Sequence, residues 1–194
     1  MADRSHRLRI DGLIIETQRL TLRPWLLDDV DAALAIFGAA DVTRWLAPSL
    51  DRVTDPAVMR ERLESWMNSD DPPPVGHWAV VDQEGNQVVG SGQIIPLPPE
   101  NRDLVIGYEI APDHWGHGFG TEAGHALAHY AFENGQDEIF AVVRTRNERA
   151  QATARKIGME WVGETEKYFG LRLNVYRLRP GDLDRSPLET GLIP

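Results

Sequence analysis

One stretch constrains this chain more than any other: Ile110-Ala111-Pro112-Asp113-His114-Trp115-Gly116-His117-Gly118-Phe119-Gly120-Thr121-Glu122-Ala123. It reads as a strand end passing through three alternate glycines into a helix. Glycine turns tightly and lets a ligand approach the backbone with no Cβ in the way, while the first amides of a helix have no internal acceptor. Such amides, at the positive end of the helix dipole, bind phosphate or pyrophosphate. The pattern therefore predicts an anion cradle between a strand and a helix.

The rest of the chain narrows what surrounds that cradle. A length of 194 residues suits one sizeable core. The first 25 residues carry Asp3, Arg4, Arg7, Arg9, Asp11, Glu16, Arg19 and Arg23 and no apolar run fit for a signal peptide or membrane span, so a cytoplasmic protein is expected. With no cysteine there is no disulfide, thiolate metal site or Cys nucleophile. A formal charge of -10 argues against a nucleic-acid binder, which would show a basic face to phosphates. That acidity serves solubility first and tilts only slightly toward cationic substrates.

Periodicity orders the elements. Residues 1–13 read as a loose arm, and Arg19 to Trp25 alternates as a first strand. Leu27 to Gly38 has helical spacing at Val30, Ala33, Leu34 and Phe37. Asp55-Pro56 then caps a second helix carrying Met59, Leu63, Trp66 and Met67. After Pro72-Pro73-Pro74, three strands joined by short turns (residues 77–82, 87–97 and 104–110) predict an antiparallel meander, with a turn at Pro98-Pro99-Glu100-Asn101. The glycine loop opens a helix over Thr121 to Glu133 whose Ala123, Ala126, Leu127 and Tyr130 face a sheet. Residues 138–144 follow as a strand parallel to 104–110, because a helical crossover separates the two. Asn147 caps a helix that ends at Ile157-Gly158, strands 159–166 and 172–178 complete the sheet, and the tail from Pro180 reads as irregular.

This order resembles the GNAT superfamily of acetyl-CoA-dependent N-acetyltransferases. Ile106-Gly107-Tyr108-Glu109-Ile110, followed by Pro112 and Trp115-Gly116-His117-Gly118-Phe119-Gly120-Thr121-Glu122-Ala123, is similar to its Rim-type branch, which includes ribosomal-protein N-terminal acetyltransferases. Asn147-Glu148-Arg149-Ala150 through Lys156-Ile157-Gly158-Met159 matches a second signature of that branch. The resemblance implies an α+β fold with a central, mostly antiparallel sheet of about seven strands flanked by about four helices. It implies an N-terminal arm over 1–16, a single domain over 17–182 and a tail over 183–194. The cosubstrate would be acetyl-CoA, with no metal. The amides of His117, Gly118, Phe119, Gly120 and Thr121 would hold its pyrophosphate, Ile110 and Ala111 would pair with its pantetheine as an added strand, and Asn147 would sit beside it. A substrate amine, on a peptide or a small molecule, would attack the thioester directly, with a backbone amide near Ile110 stabilising the oxyanion.

The chain departs from that pattern at the proton-transfer positions. Val105 stands where many relatives place a glutamate base, and Ala154 where some use a tyrosine as acid. Glu109, one residue before the strand end, is the best remaining base, and Tyr168 in Lys167-Tyr168-Phe169-Gly170 a candidate acid. Trp45, between the two early helices, is a candidate on the acceptor side. Without a strong base, an α-amine near pKa 8 costs only about 1 kcal/mol to deprotonate at pH 7, against roughly 4–5 kcal/mol for a lysine. A low-pKa amine is therefore the expected acceptor. His125 and His129, with Glu122, lack the H-E-x-x-H order of a zinc protease and read as a solvated face. Two other readings follow from the same residues. One is a non-catalytic acyl-CoA sensor, consistent with Val105 and Ala154; the other is a dinucleotide-binding domain, since Gly118 to Ala123 fits G-x-G-x-x-A, although the hairpin-linked strands before it oppose this. Edge strands make a homodimer plausible.

Overall fold

The computed structural model describes residues 8–46, 52–98, 103–168 and 170–183. Their strands form one mixed sheet in the order β1-β2-β3-β4-β5-β6-β7-β9-β8: β1 Arg9–Asp11, β2 Ile14–Glu16, β3 Leu20–Pro24, β4 Gly76–Asp82, β5 Gln87–Pro96, β6 Leu104–Ile110, β7 Ile139–Arg144, β8 Glu160–Thr165 and β9 Leu173–Leu178. Every neighbouring pair is antiparallel except β6 and β7, which run parallel across the helical crossover. The antiparallel meander β4-β5-β6 and the parallel step after it are as expected from the turn lengths. Three antiparallel strands ahead of the glycines exclude the doubly wound topology of a dinucleotide-binding unit.

The helices are α1 Val30–Phe37, α2 Ala40–Thr43, α3 Pro56–Met67, α4 Phe119–Glu133, α5 Glu148–Ile157 and α6 Pro180–Leu183. Local chemistry sets the ends of the longer ones. Asp55 accepts from the Ala57 N–H at 2.8 Å with Pro56 in the first turn of α3, and Asn147 accepts from Ala150 N–H at 3.2 Å to start α5. Gly158, at φ +102°, closes α5 in the left-handed conformation.

Among the described residues, nine strands and six helices exceed the seven and four expected. The extra strands are the β1-β2 hairpin, in a segment read as a loose arm. Trp78 Nε1 ties it to the sheet by donating to the Leu13 carbonyl at 2.8 Å. Three-residue strands are too short for alternation to register, and α2 and α6, four residues each, are too short for helical periodicity. Residues 1–7, most of the Pro98–Asn101 turn and residues 184–194 lie outside the described residues.

The sheet separates two cores. On one face Leu20, Leu22, Val80, Ile94 and Ile106 pack against Ala123, Ala126, Leu127 and Tyr130 of α4, the helix stripe read from the sequence. On the other, Ala79 and Ala111 lie under Trp25, Ala33, Phe37, Met59 and Leu63 from the α1-α3 layer. Met67, expected on the buried face of α3, is exposed, and so is Trp161 on edge strand β8. No helix among the described residues is long and apolar enough to cross a membrane.

Candidate active site

The parallel pair β6/β7 is joined at a single register position, Val105 opposite Phe140. Beyond it β7 stays paired with β9 up to Arg144, and β6 with β5 up to Ile110, so the two strands part and open the sheet. Residues 106–110 of β6 and 141–144 of β7 line the resulting cavity of about 720 Å³. Register decides which backbone groups face it. Gly90 pairs with Ile110 and Ser91 with Glu109, while the Ala111 N–H donates to the Val89 carbonyl at 2.9 Å. Because hydrogen-bonding direction alternates along a strand, Glu109 and Ala111 point their backbone groups at β5, and Tyr108 and Ile110 point theirs into the gap. Of the two residues expected to offer an added-strand edge, Ile110 does and Ala111 does not. The Ile110 carbonyl is itself taken by Trp115 Nε1 at 2.7 Å, which leaves the Ile110 N–H and the Tyr108 backbone as the open edge.

At one rim of the gap the glycine loop enters α4. Gly116 and Gly118 adopt φ of +86° and +81°, a region that L side chains avoid. The first helix bonds run from Thr121 and Glu122 N–H to the Gly118 carbonyl, both 3.1 Å. The Thr121 amide is therefore used internally, and Phe119 and Gly120 start the helix with amides that have no intrahelical acceptor. Gly118, Phe119, Gly120 and Thr121 line the cavity; His117 does not, its ring stacking on Phe119 at 5.7 Å. Gly124 lets α4 lie against the Tyr108 ring, since a Cβ there would fall 2.9 Å from Tyr108 Cε1 and 2.5 Å from Ile157 Cδ1. Asn147 also lines the cavity, though its side-chain oxygen is engaged in capping α5.

Glu109 sits on the floor of the gap, buried on the sheet face that carries the α1-α3 layer. One carboxylate oxygen accepts from Gln93 Nε2 at 3.4 Å, and the other has no hydrogen-bond partner. Burial pushes this carboxyl up to about 8, opposed in part by the Ser91 hydroxyl on the paired strand. Further along the same face His77 stacks on Trp66 at 4.5 Å, and burial pulls it down to about 4 against the field of Asp71. Burial, then the charge of Glu109, raise the Tyr108 hydroxyl well above its ordinary range. Val105, the β6 partner of Phe140, is buried, and so is Ala154 on the inner face of α5.

The opposite rim comes from the segment after α1. Val42, Arg44, Trp45 and Leu46 line the cavity, and Arg144 at the end of β7 reaches across it, donating from Nη2 to the Leu46 carbonyl at 2.8 Å and from Nε to the Trp45 carbonyl at 3.4 Å. Arg44 lies over the Trp45 ring at 4.9 Å, and Arg149 of α5 over the Trp115 ring at 3.9 Å. The lining holds Arg44, Arg144, Arg146, Arg149 and Lys156, so the acidity of the whole chain is not repeated in its cavity. Tyr168 is not among the lining residues; its carbonyl closes a turn with Leu171 N–H and its ring faces Lys167. His125 and His129 meet edge to face at 4.7 Å on α4, away from the lining, with His125 Nε2 3.4 Å from the Leu183 carbonyl. Sequence reasoning passed over Arg144 and Arg19. Their partners lie about a hundred positions away, and nothing local marks them.

The sheet is thus split between two parallel strands, with the free amides of a helix start at one rim and a buried carboxyl on its floor. The chain belongs to the acetyltransferase (GNAT) domain family, which matches residues 19–160. It is 28% identical over 156 residues to the uncharacterized N-acetyltransferase YoaA of Bacillus subtilis (strain 168), a match covering 80% of this chain and 87% of the relative. Among solved structures its fold is similar to RimL, a ribosomal L7/L12 alpha-N-protein acetyltransferase in complex with coenzyme A (TM-score 0.71, 21% identity, 86% of this chain and 97% of that one). It is also similar to the microcin C7 self-immunity acetyltransferase MccE in complex with acetyl-CoA and AMP (TM-score 0.73, 16% identity, 87% and 97%).

Proposed function

We propose that this chain is an acetyl-CoA-dependent N-acetyltransferase whose acceptor is a primary amine of low pKa, the α-amine of a peptide or protein or a comparable small amine. The observation that carries the reading is the convergence on one cavity of the open Tyr108/Ile110 backbone edge, the amides at Gly118 to Gly120 and the Glu109 carboxyl. Family membership supports the acetyl transfer, and the likeness to RimL supports an α-amine. We assign the transferase domain to residues 17–182, with β1 and β2 adding to its sheet edge.

Acetyl-CoA supplies the acyl group as a thioester. In the proposed arrangement the amides at Gly118 to Gly120 hold its diphosphate, and the β6 edge holds its pantetheine like an added strand. The Ile110 N–H points into the gap, where it can donate to the carbonyl oxygen as negative charge develops. The acceptor enters beneath Trp45 and Leu46. Its nitrogen forms the C–N bond as the C–S bond breaks, the sulfur leaves with the bonding pair, and the ammonium proton passes to Glu109. A carboxyl held near pKa 8 is poised for this work at neutral to mildly alkaline pH, because a base is most effective when its pKa lies near the working pH.

Val105 and Ala154 favour the second reading, a binder of acyl-CoA without turnover, and one experiment separates the two. Purified protein is given acetyl-CoA with peptides bearing a free α-amine, with the same peptides N-blocked but containing lysine, and with small amines, while thiol release is followed. Release with free α-amines and little with blocked lysine peptides is expected. Binding of CoA with no release for any acceptor would establish the sensor instead.

A further inference from the structure

The opening turn of α4 contains an apparent contradiction. A helix N-terminus that receives a diphosphate gains from every positive partial charge, yet Glu122 places a carboxylate in that first turn. Left alone, it would oppose the ligand. Arg19, just ahead of β3, meets it with three contacts: Nε to Glu122 Oε2 at 2.7 Å, Nη2 to the same oxygen at 2.6 Å and the Arg19 backbone N–H to Oε1 at 2.9 Å. Thr17 Oγ1 adds a fourth bond to Oε1 at 2.6 Å. The remaining arm of the guanidinium, Nη1, donates to the His117 carbonyl at 2.8 Å, and the group lies 5.0 Å from the centre of the Phe119 ring. A Cβ on Gly118 would stand 3.5 Å from Nη2. One side chain thus touches the loop before Gly118, the residue after it and the acid inside the helix.

We propose that Arg19, acting through Glu122, is a positioning residue for the diphosphate-binding turn. It cancels the acid that would repel the ligand, and it pins the His117 carbonyl outward so that the amides that follow face the cavity. Carbonyl and amide of successive residues are linked through planar peptides, so fixing one orients the next. Glu122 in turn is there to fasten the arginine, which explains an acidic residue at an anion site. The inference rests on the reading that this turn holds the diphosphate of acetyl-CoA.

Calorimetric titration with CoA, and with pantetheine, which keeps the thiol arm and lacks the diphosphate, tests it on wild type, Arg19→Ala, Arg19→Lys, Glu122→Gln and the Arg19→Ala/Glu122→Gln pair. Arg19→Ala is expected to weaken CoA about tenfold and pantetheine less than twofold, a contrast of the size seen for a charge at a helix terminus in a partly buried site. Arg19→Lys, with charge and no fork, falls between. The double variant recovers most of the lost CoA affinity, because the uncancelled carboxylate is gone. Equal losses for both ligands, or no recovery in the double variant, would reduce Arg19 to a structural strap and overturn the proposal. If wild type itself held CoA no better than pantetheine, the diphosphate reading would fall, an outcome visible without any Arg19 variant. Should Arg19→Ala not fold, the Arg19→Lys titration carries the same contrast at smaller size.

Discussion

The two rims of the open sheet are built from different materials. The donor rim, from Gly116 to Gly120, is backbone: amides and left-handed glycines backed by α4, with one ion pair holding the turn. The acceptor side is side chain. Glu109 is a buried carboxyl on the floor, with buried Ser91 and Gln93 on the neighbouring strand β5, and Trp45 and Leu46 are held over the gap by Arg144. On the proposed function the backbone cradle takes one constant group, a diphosphate, and backbone amides serve it whatever side chains flank them. A side-chain cleft changes with each substitution, so the same proposal puts chemistry and acceptor choice there.

Substitutions can break this contrast, beginning with the largest effect. Glu109 is neutral when folded up to about pH 8 but ionises near 4.5 when unfolded, so the folded state holds the extra proton between those values. Its contribution is full below pH 4.5 and declines as pH rises to about 8, by on the order of 5 kcal/mol. Glu109→Gln, neutral at every pH, should gain stability relative to wild type by that order between pH 4 and pH 9 in urea titrations; parallel pH profiles would show that burial does not tax this carboxyl. The same variant should lose about 100-fold in kcat, about 2.7 kcal/mol, together with the limb of the pH-rate profile rising through about 8. An unchanged profile removes Glu109 from proton transfer.

Smaller effects sharpen the donor side. Gly118→Ala forces a Cβ into the left-handed region at φ +81°, costing about 1–2 kcal/mol, and should raise KM for acetyl-CoA more than it lowers kcat. A pure loss of kcat would mean that the turn aligns the thioester and does not simply bind. The mildest test is on the acceptor side. Arg144→Ala frees the Trp45 and Leu46 carbonyls and should raise the acceptor KM about fivefold, about 1 kcal/mol, while the acetyl-CoA KM stays within about twofold. Equal shifts in both constants would show that Arg144 holds the whole gap open.

The donor rim was legible because its signal is local. Alternate glycines between a strand and a helix leave few other structures, and Asn147, Asp55-Pro56 and Gly158 mark helix ends within a few residues of the bonds they make. Beside Ile110 the reading failed for Ala111, because one residue of register decides whether a backbone group faces β5 or the gap. Tyr168 misled since a loop tyrosine looks free in sequence, yet it stays off the cavity lining. Glu109 could be named from its place before the strand end. Its burial, and the oxygen left unpartnered, depend on how β5 and the α1-α3 layer close over it.

By itself the sequence determined the alternation of strands and helices, the antiparallel meander, the parallel step and the turn of free amides, because turn length, periodicity and glycine act over a few neighbouring residues. Only the tertiary structure decided where β6 leaves β7, which carboxyl is stripped of water, and which distant arginines pin each rim. Those outcomes depend on pairs a hundred positions apart, where desolvation and register are set by the whole sheet and by no single segment.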